Sequence, residues 1–147
     1  MALYENGLKT KEWAGVSGAD GYQTPNWQDS KNKGPIPQGS YLARQERYQT
    51  INMKDNLIGS VSGLLSRGTG GIIPKRGKWH GGSYAWGEHR IWLEPSFITN
   101  TFGRDGFTIH GGDDPGSVGC IDLTDMMPDF AKWYRNNGKD MIVHVKY

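Results

Sequence analysis

The chain holds a single cysteine, Cys120, ten residues after His110, and the connection between them is flanked by Gly111, Gly112, Gly116 and Gly119. A thiol attacks carbonyls as its thiolate, so a nucleophilic cysteine requires a base or a positive neighbour. The oxyanion created by that attack requires backbone N–H groups close by, and glycine lets the main chain approach. Cysteine, histidine and glycine thus meet three separate requirements of acyl transfer within one short stretch. By type alone, a lone cysteine more often behaves as a small buried hydrophobe, and a lone histidine is more often solvated or structurally satisfied. Here Cys120 stands where a glycine loop enters the apolar stretch Ile121 to Leu123, and that placement favours an exposed nucleophile.

The elements that must hold this pair are short. Gly106 to Ile109 reads as a strand that delivers His110 at its end. His89 to Glu94 sets Ile91 and Leu93 against Arg90, Trp92 and Glu94, a strand stopped by Pro95. Ser40 to Arg47 reads as a strand fed by the turn Gly34 to Gly39, and Asp140 to Lys146 alternates with Met141, Val143 and Val145 on one face. Two helices are expected. The first covers Asn56 to Leu65, with apolar residues at 57, 58, 61, 64 and 65 and Gly68 as a stop. The second covers Leu123 to Asn137, with Thr124 as cap, Met127, Phe130, Trp133 and Tyr134 as apolar face, and Gly138 at its end. Residues 1 to 40 read as polar and turn-rich, and 68 to 87 as a long glycine-rich loop carrying Trp79, His80 and Trp86, long enough to act as a lid or binding loop. The fold class expected is mainly β, a small sandwich or barrel-like sheet with two peripheral helices.

A chain of 147 residues is read as one domain, 1–147, large enough to bury about two-thirds of its unfolded surface. The 17 basic and 15 acidic residues give a net charge of +2 and are scattered, so nothing supports nucleic-acid binding. Mean hydropathy is −0.67, and the 22 glycines favour turns and short strands. One cysteine cannot form an intrachain disulfide. No apolar span is long enough for membrane insertion, and the N-terminus lacks the design of a signal peptide.

His110-Gly111 followed by Ser117-Val118-Gly119-Cys120-Ile121 resembles the active-site motif of the YkuD-type L,D-transpeptidases: His-Gly, a spacer, then Ser/Thr-x-Gly-Cys. The stretches Lys33 to Tyr41, Ala85 to Gly87, Arg90 to Pro95 and Gly103 to Gly112 narrow the resemblance to the L,D-transpeptidase effectors of bacterial type VI secretion. It spans about Trp13 to Leu123. The resemblance implies a β-rich catalytic domain working on peptidoglycan stem peptides, with Cys120 as nucleophile and His110 as general base. Gly119 and Cys120 would supply oxyanion-binding N–H groups, and Ser117 would brace the loop. Substrate contacts are expected from Gly111, Gly112, Arg104, Val118, Asp122 and Trp86. Two positions depart from the pattern: Val118 replaces the usual histidine before Gly-Cys, and Asp122 replaces the usual arginine or asparagine. An acid at 122 lowers the local positive charge.

The thioester that such an enzyme forms meets either water, giving L,D-carboxypeptidase action, or an amine, giving transpeptidation or D-amino-acid exchange. The effector likeness further implies a toxin that leaves its producer by a non-classical route, acts in the periplasm of a neighbouring cell, and has an immunity protein and a secretion-system carrier as partners. Two other classes compete. One is a non-catalytic wall-binding module on the same scaffold, which the departures at 118 and 122 favour. The other is a papain-like amidase, which would place its cysteine before its histidine, opposite to the order found. No cofactor is called for, and Asp113 and Asp114 beside His110 lack the further ligands that a metal requires. Arg104 reads equally as a fork for a substrate carboxylate or as the surface arginine of a Gly-Arg-Asp-Gly turn. His80 and His89 read as loop residues and His144 as structural, while Trp79, Trp86 and Trp92 either line a groove or pack in the core.

Overall fold

The computed structural model describes residues 1–70 and 78–147, so part of the long loop expected over 68 to 87 lies outside the described residues. The fold is mainly β. A hairpin of β1 (Ala2–Glu5) and β2 (Leu8–Glu12) precedes a six-stranded sheet of β3 (Val16–Gly18), β4 (Gly39–Thr50), β5 (His89–Pro95), β6 (Thr108–His110), β7 (Ser117–Asp122) and β8 (Met141–Val145). The order across the sheet is β3-β7-β6-β5-β4-β8, and every neighbouring pair is antiparallel except β6–β7. Its two edges curl toward each other. Tyr147, just past β8, donates to the Ile36 carbonyl at 2.8 Å, and the Ile36 N–H reaches Ser17 Oγ of β3 at 2.8 Å.

Alternation divides the sheet into two faces. Tyr41, Ala43, Ile91, Leu93 and Ile109 form the core with Trp13 and with α3 (Met127–Asn137), which buries Met127, Phe130, Ala131 and Tyr134. Tyr134 also donates its hydroxyl to the Ala43 carbonyl at 2.9 Å, a buried bond that fixes the helix on β4. The opposite face carries Gln49, Arg90, Trp92, Thr108, His110 and Cys120. The five-residue α2 (Gly82–Trp86) lies beside it and α1 (Met53–Gly68) packs on α2, so three helices rather than two lie among the described residues.

Two sequence readings need correction. Thr124 does not cap the second helix: it has φ +47° and opens a single 3-10 turn, Thr124–Met126, ahead of α3. The first helix forms, but turned over. Gly59, Ser62, Gly63 and Ser66 are its buried residues, while Met53, Leu57, Ile58, Val61, Leu64 and Leu65 are exposed. The cause is close approach. A Cβ on Gly59 would lie 1.8 Å from the Trp79 carbonyl oxygen, so only the small-residue side of α1 can accept the chain that leads into α2.

Candidate active site

β6 brings Thr108 and His110 to one face, and its parallel neighbour β7 sets Cys120 beside them. The partners Ile109↔Ile121 and His110↔Asp122 are twelve residues apart, and that interval contains the glycine loop and most of β7. Ser117 closes the turn before the thiol. Its hydroxyl donates to the Cys120 carbonyl at 2.5 Å and accepts from the Cys120 N–H at 3.1 Å. Gly119 has φ +92°, and a Cβ there would fall 2.2 Å from the Arg104 guanidinium, so backbone conformation and space both require glycine.

Cys120 is only 6% exposed, yet the surroundings of its sulfur are polar. Thr108 donates its hydroxyl to Cys120 Sγ at 3.2 Å, and the Gly106 carbonyl lies 3.8 Å away. His110 Nδ1 lies 2.6 Å from the Gly111 carbonyl, which only an N–H can satisfy, so Nε2 is left as the basic nitrogen. Burial opposes ionisation of the thiol, but the hydrogen bond and charge of His110 outweigh it, with help from Thr108, and hold the thiol below its ordinary pKa. Burial likewise favours the neutral imidazole. The hydrogen bond and charge of Cys120, with the Gly111 carbonyl and Asp122, overcome that and raise His110 above its ordinary value. Both shifts run toward thiolate and imidazolium, the charge distribution of an activated cysteine.

Gly111 and Gly112 are pressed from two sides. A Cβ on Gly111 would meet the Thr124 carbonyl at 2.7 Å and Met127 at 2.8 Å, and one on Gly112 would meet the Ala85 carbonyl at 3.0 Å. α2 is fastened to this loop: Gly111 N–H donates to the Trp86 carbonyl at 3.1 Å, Asp113 N–H to the Tyr84 carbonyl at 2.9 Å, and the Tyr84 hydroxyl to Asp114 at 2.6 Å. The Trp86 ring lies against the His110 ring, 4.9 Å between centroids. The Tlde1 domain family model matches residues 11–146.

The chain belongs to that family, the type VI secretion L,D-transpeptidase effectors. No curated protein matches the chain. In this member of the Tlde1 domain family, the two departures fall in different places. Val118 is 57% exposed. Asp122 is buried and accepts from the N–H groups of Gly116 at 3.1 Å and Thr124 at 2.8 Å, so its carboxylate ties both ends of the segment carrying the thiol. Burial nevertheless pushes the Asp122 carboxyl above its ordinary pKa. Arg104 is buried as well, and its fork is occupied by the carbonyls of Gln28 at 2.5 Å, Pro35 at 2.7 Å and Gly34 at 2.9 Å, clamping the N-terminal turn beside Gly119.

The remaining histidines stand elsewhere. His89 meets the Tyr48 hydroxyl at 2.7 Å, His144 meets Ser40 Oγ at 2.9 Å, and His80 is exposed with its carbonyl taken by Trp86 Nε1 at 2.9 Å. A groove of about 360 Å³ lined by Tyr48, His89, Lys132 and Arg135 includes neither Cys120 nor His110. Two residues at the site were not singled out from sequence. Thr108 was legible, since alternation puts residue i−2 on the same face as His110. Arg90 read only as the polar side of a strand.

Proposed function

We propose that the protein is a cysteine-dependent peptidoglycan stem-peptide enzyme delivered as an antibacterial effector. The observation that carries this reading is the polarised Cys120–His110 pair at the end of a parallel strand couple. Cys120 Sγ attacks the carbonyl of the L-centre at the third stem residue. An S–C bond forms, and the tetrahedral oxyanion is held by the Gly119 N–H and, once Ser117 Oγ yields it, by the Cys120 N–H, on the order of 3 kcal/mol per donor. The C–N bond then breaks, and His110 passes its proton to the departing D-alanine amine. Water or an acceptor amine attacks the thioester while His110 takes the incoming proton, and the thiolate is regenerated. The first outcome is L,D-carboxypeptidase action and the second is transpeptidation or D-amino-acid exchange.

Peptidoglycan lies outside the cytoplasm, so the reading places the working site in the periplasm of a recipient cell, with a secretion-system carrier and an immunity protein as partners. Cys120→Ala and His110→Ala are each expected to abolish D-alanine release from tetrapeptide muropeptides, followed by chromatography and mass spectrometry. Persistent release by the Cys120 variant sinks the proposal. A second reading, a wall-binding module without catalysis, is favoured by the small exposed area of the thiol. Carbapenem treatment separates the two: a covalent adduct on Cys120 requires an activated nucleophile, and an unmodified mass supports the binding module.

A further inference from the structure

Arg90 lies directly opposite His110 across β5 and β6, so both side chains rise from the same face. Its guanidinium is held on all sides. Cζ lies 4.3 Å from the Trp79 ring, 5.0 Å from Trp86 and 4.8 Å from Trp92. Nε and one terminal nitrogen donate to Gln49 Oε1 at 3.2 and 2.8 Å, and the other donates to the Lys78 carbonyl at 3.2 Å. Trp86 is therefore shared, touching Arg90 and His110.

This cation is 5% exposed, and every one of those partners is neutral. The ion pairs among the described residues join Lys9 to Glu12 and Arg44 to Glu94 and Asp140, and none includes Arg90. A buried charge without a counter-ion is costly, and indole faces with amide oxygens offset only part of that cost. Arg90 shares its sheet face and the Trp86 ring with His110, the neighbour of Cys120, and a thiolate at Cys120 would favour the Arg90 cation that burial disfavours. Three other side chains act on the thiol: His110 and Thr108 from β6, and Arg104 from the preceding loop with its fork already filled by carbonyls; Asp122 from β7, bonded to two N–H groups, acts on His110 instead.

We propose that Arg90 is a positioning residue of the Cys120–His110 site, a fixed positive charge that keeps the sulfur anionic and seats Trp86 on the imidazole. The inference rests on the reading of Cys120 as an activated nucleophile. It is tested without substrate, by the rate of iodoacetamide alkylation of Cys120 against pH, read by intact mass, in the wild type, Arg90→Gln, Arg90→Lys and Gln49→Glu. Gln49→Glu keeps the size and the acceptor, and it places a carboxylate on the guanidinium that neutralises its field, so the proposal stays testable if Arg90→Gln fails to fold. The wild-type thiol should titrate below the ordinary value, about 8.5. Arg90→Gln and Gln49→Glu should each move the profile to higher pH, with roughly tenfold slower alkylation below both midpoints, and Arg90→Lys should fall between. A low wild-type value that neither Arg90→Gln nor Gln49→Glu moves overturns the role of Arg90 alone. A wild-type thiol titrating in the ordinary range overturns the nucleophile reading and this inference with it.

Discussion

Between Cys120 and His110 the two titrations move toward each other, the thiol down and the imidazole up, so in the proposed reaction pH acts on both steps of acyl transfer. Attack requires the thiolate, which is lost as pH falls through the lowered thiol value. Protonation of the leaving amine requires the imidazolium, lost as pH rises through the raised imidazole value. The rate of D-alanine release against pH should therefore be bell-shaped, its acid limb below the ordinary thiol range and its alkaline limb above about 6.5, and the two midpoints belong to the pair. A profile still rising at pH 9 contradicts the assignment. Stability follows the same signs. The raised His110 contributes fully below about 6.5 and loses that contribution as pH climbs through its folded value, while the lowered Cys120 contributes above about 8.5 and loses it on acidification. The pairing of Cys120 with His110 was legible because their types are scarce and their spacing unusual. Arg90 was not, because an arginine alternating with Ile91 and Leu93 reads as a solvated strand face, and only the three indoles that gather on it mark it as buried.

At the scale of elements, the sequence spoke most clearly about period and least about direction. The spacing of Leu57, Ile58, Val61, Leu64 and Leu65 announces a helix, and α1 forms. Which side turns inward is decided by Gly59 and Gly63, whose missing side chains admit the backbone of Trp79 and Gly81. Gly59→Ala is accordingly expected to unseat α2 from α1 and destabilise the protein by about 1–3 kcal/mol, measured by thermal unfolding. Leu64→Lys, at a position 72% exposed, should stay within about 0.5 kcal/mol of wild type, the reverse of what an inward apolar stripe demands. The β1–β2 hairpin was missed, although Asn6 at φ +52° and Gly7 at φ +81° are the Asn-Gly turn that a tight hairpin favours. Its strands carry charged and polar residues with little alternation, which left no period to detect.

For the whole molecule, the sheet separates stability from chemistry. Phe130 is fully buried, 5.0 Å from the Trp13 ring and 6.0 Å from Tyr134, on the face opposite the thiol. Phe130→Ala should cost about 3–5 kcal/mol in urea unfolding while the rate per folded molecule is retained, since that ring packs on Trp13, Trp133 and Tyr134. Equal losses in stability and in rate per folded molecule would show that the two faces are coupled. The contact of Trp86 with His110 has one further consequence. A protonated imidazole quenches the emission of an indole against which it rests, so the molecule carries its own optical indicator, one that dims when His110 gains a proton and brightens when that proton departs.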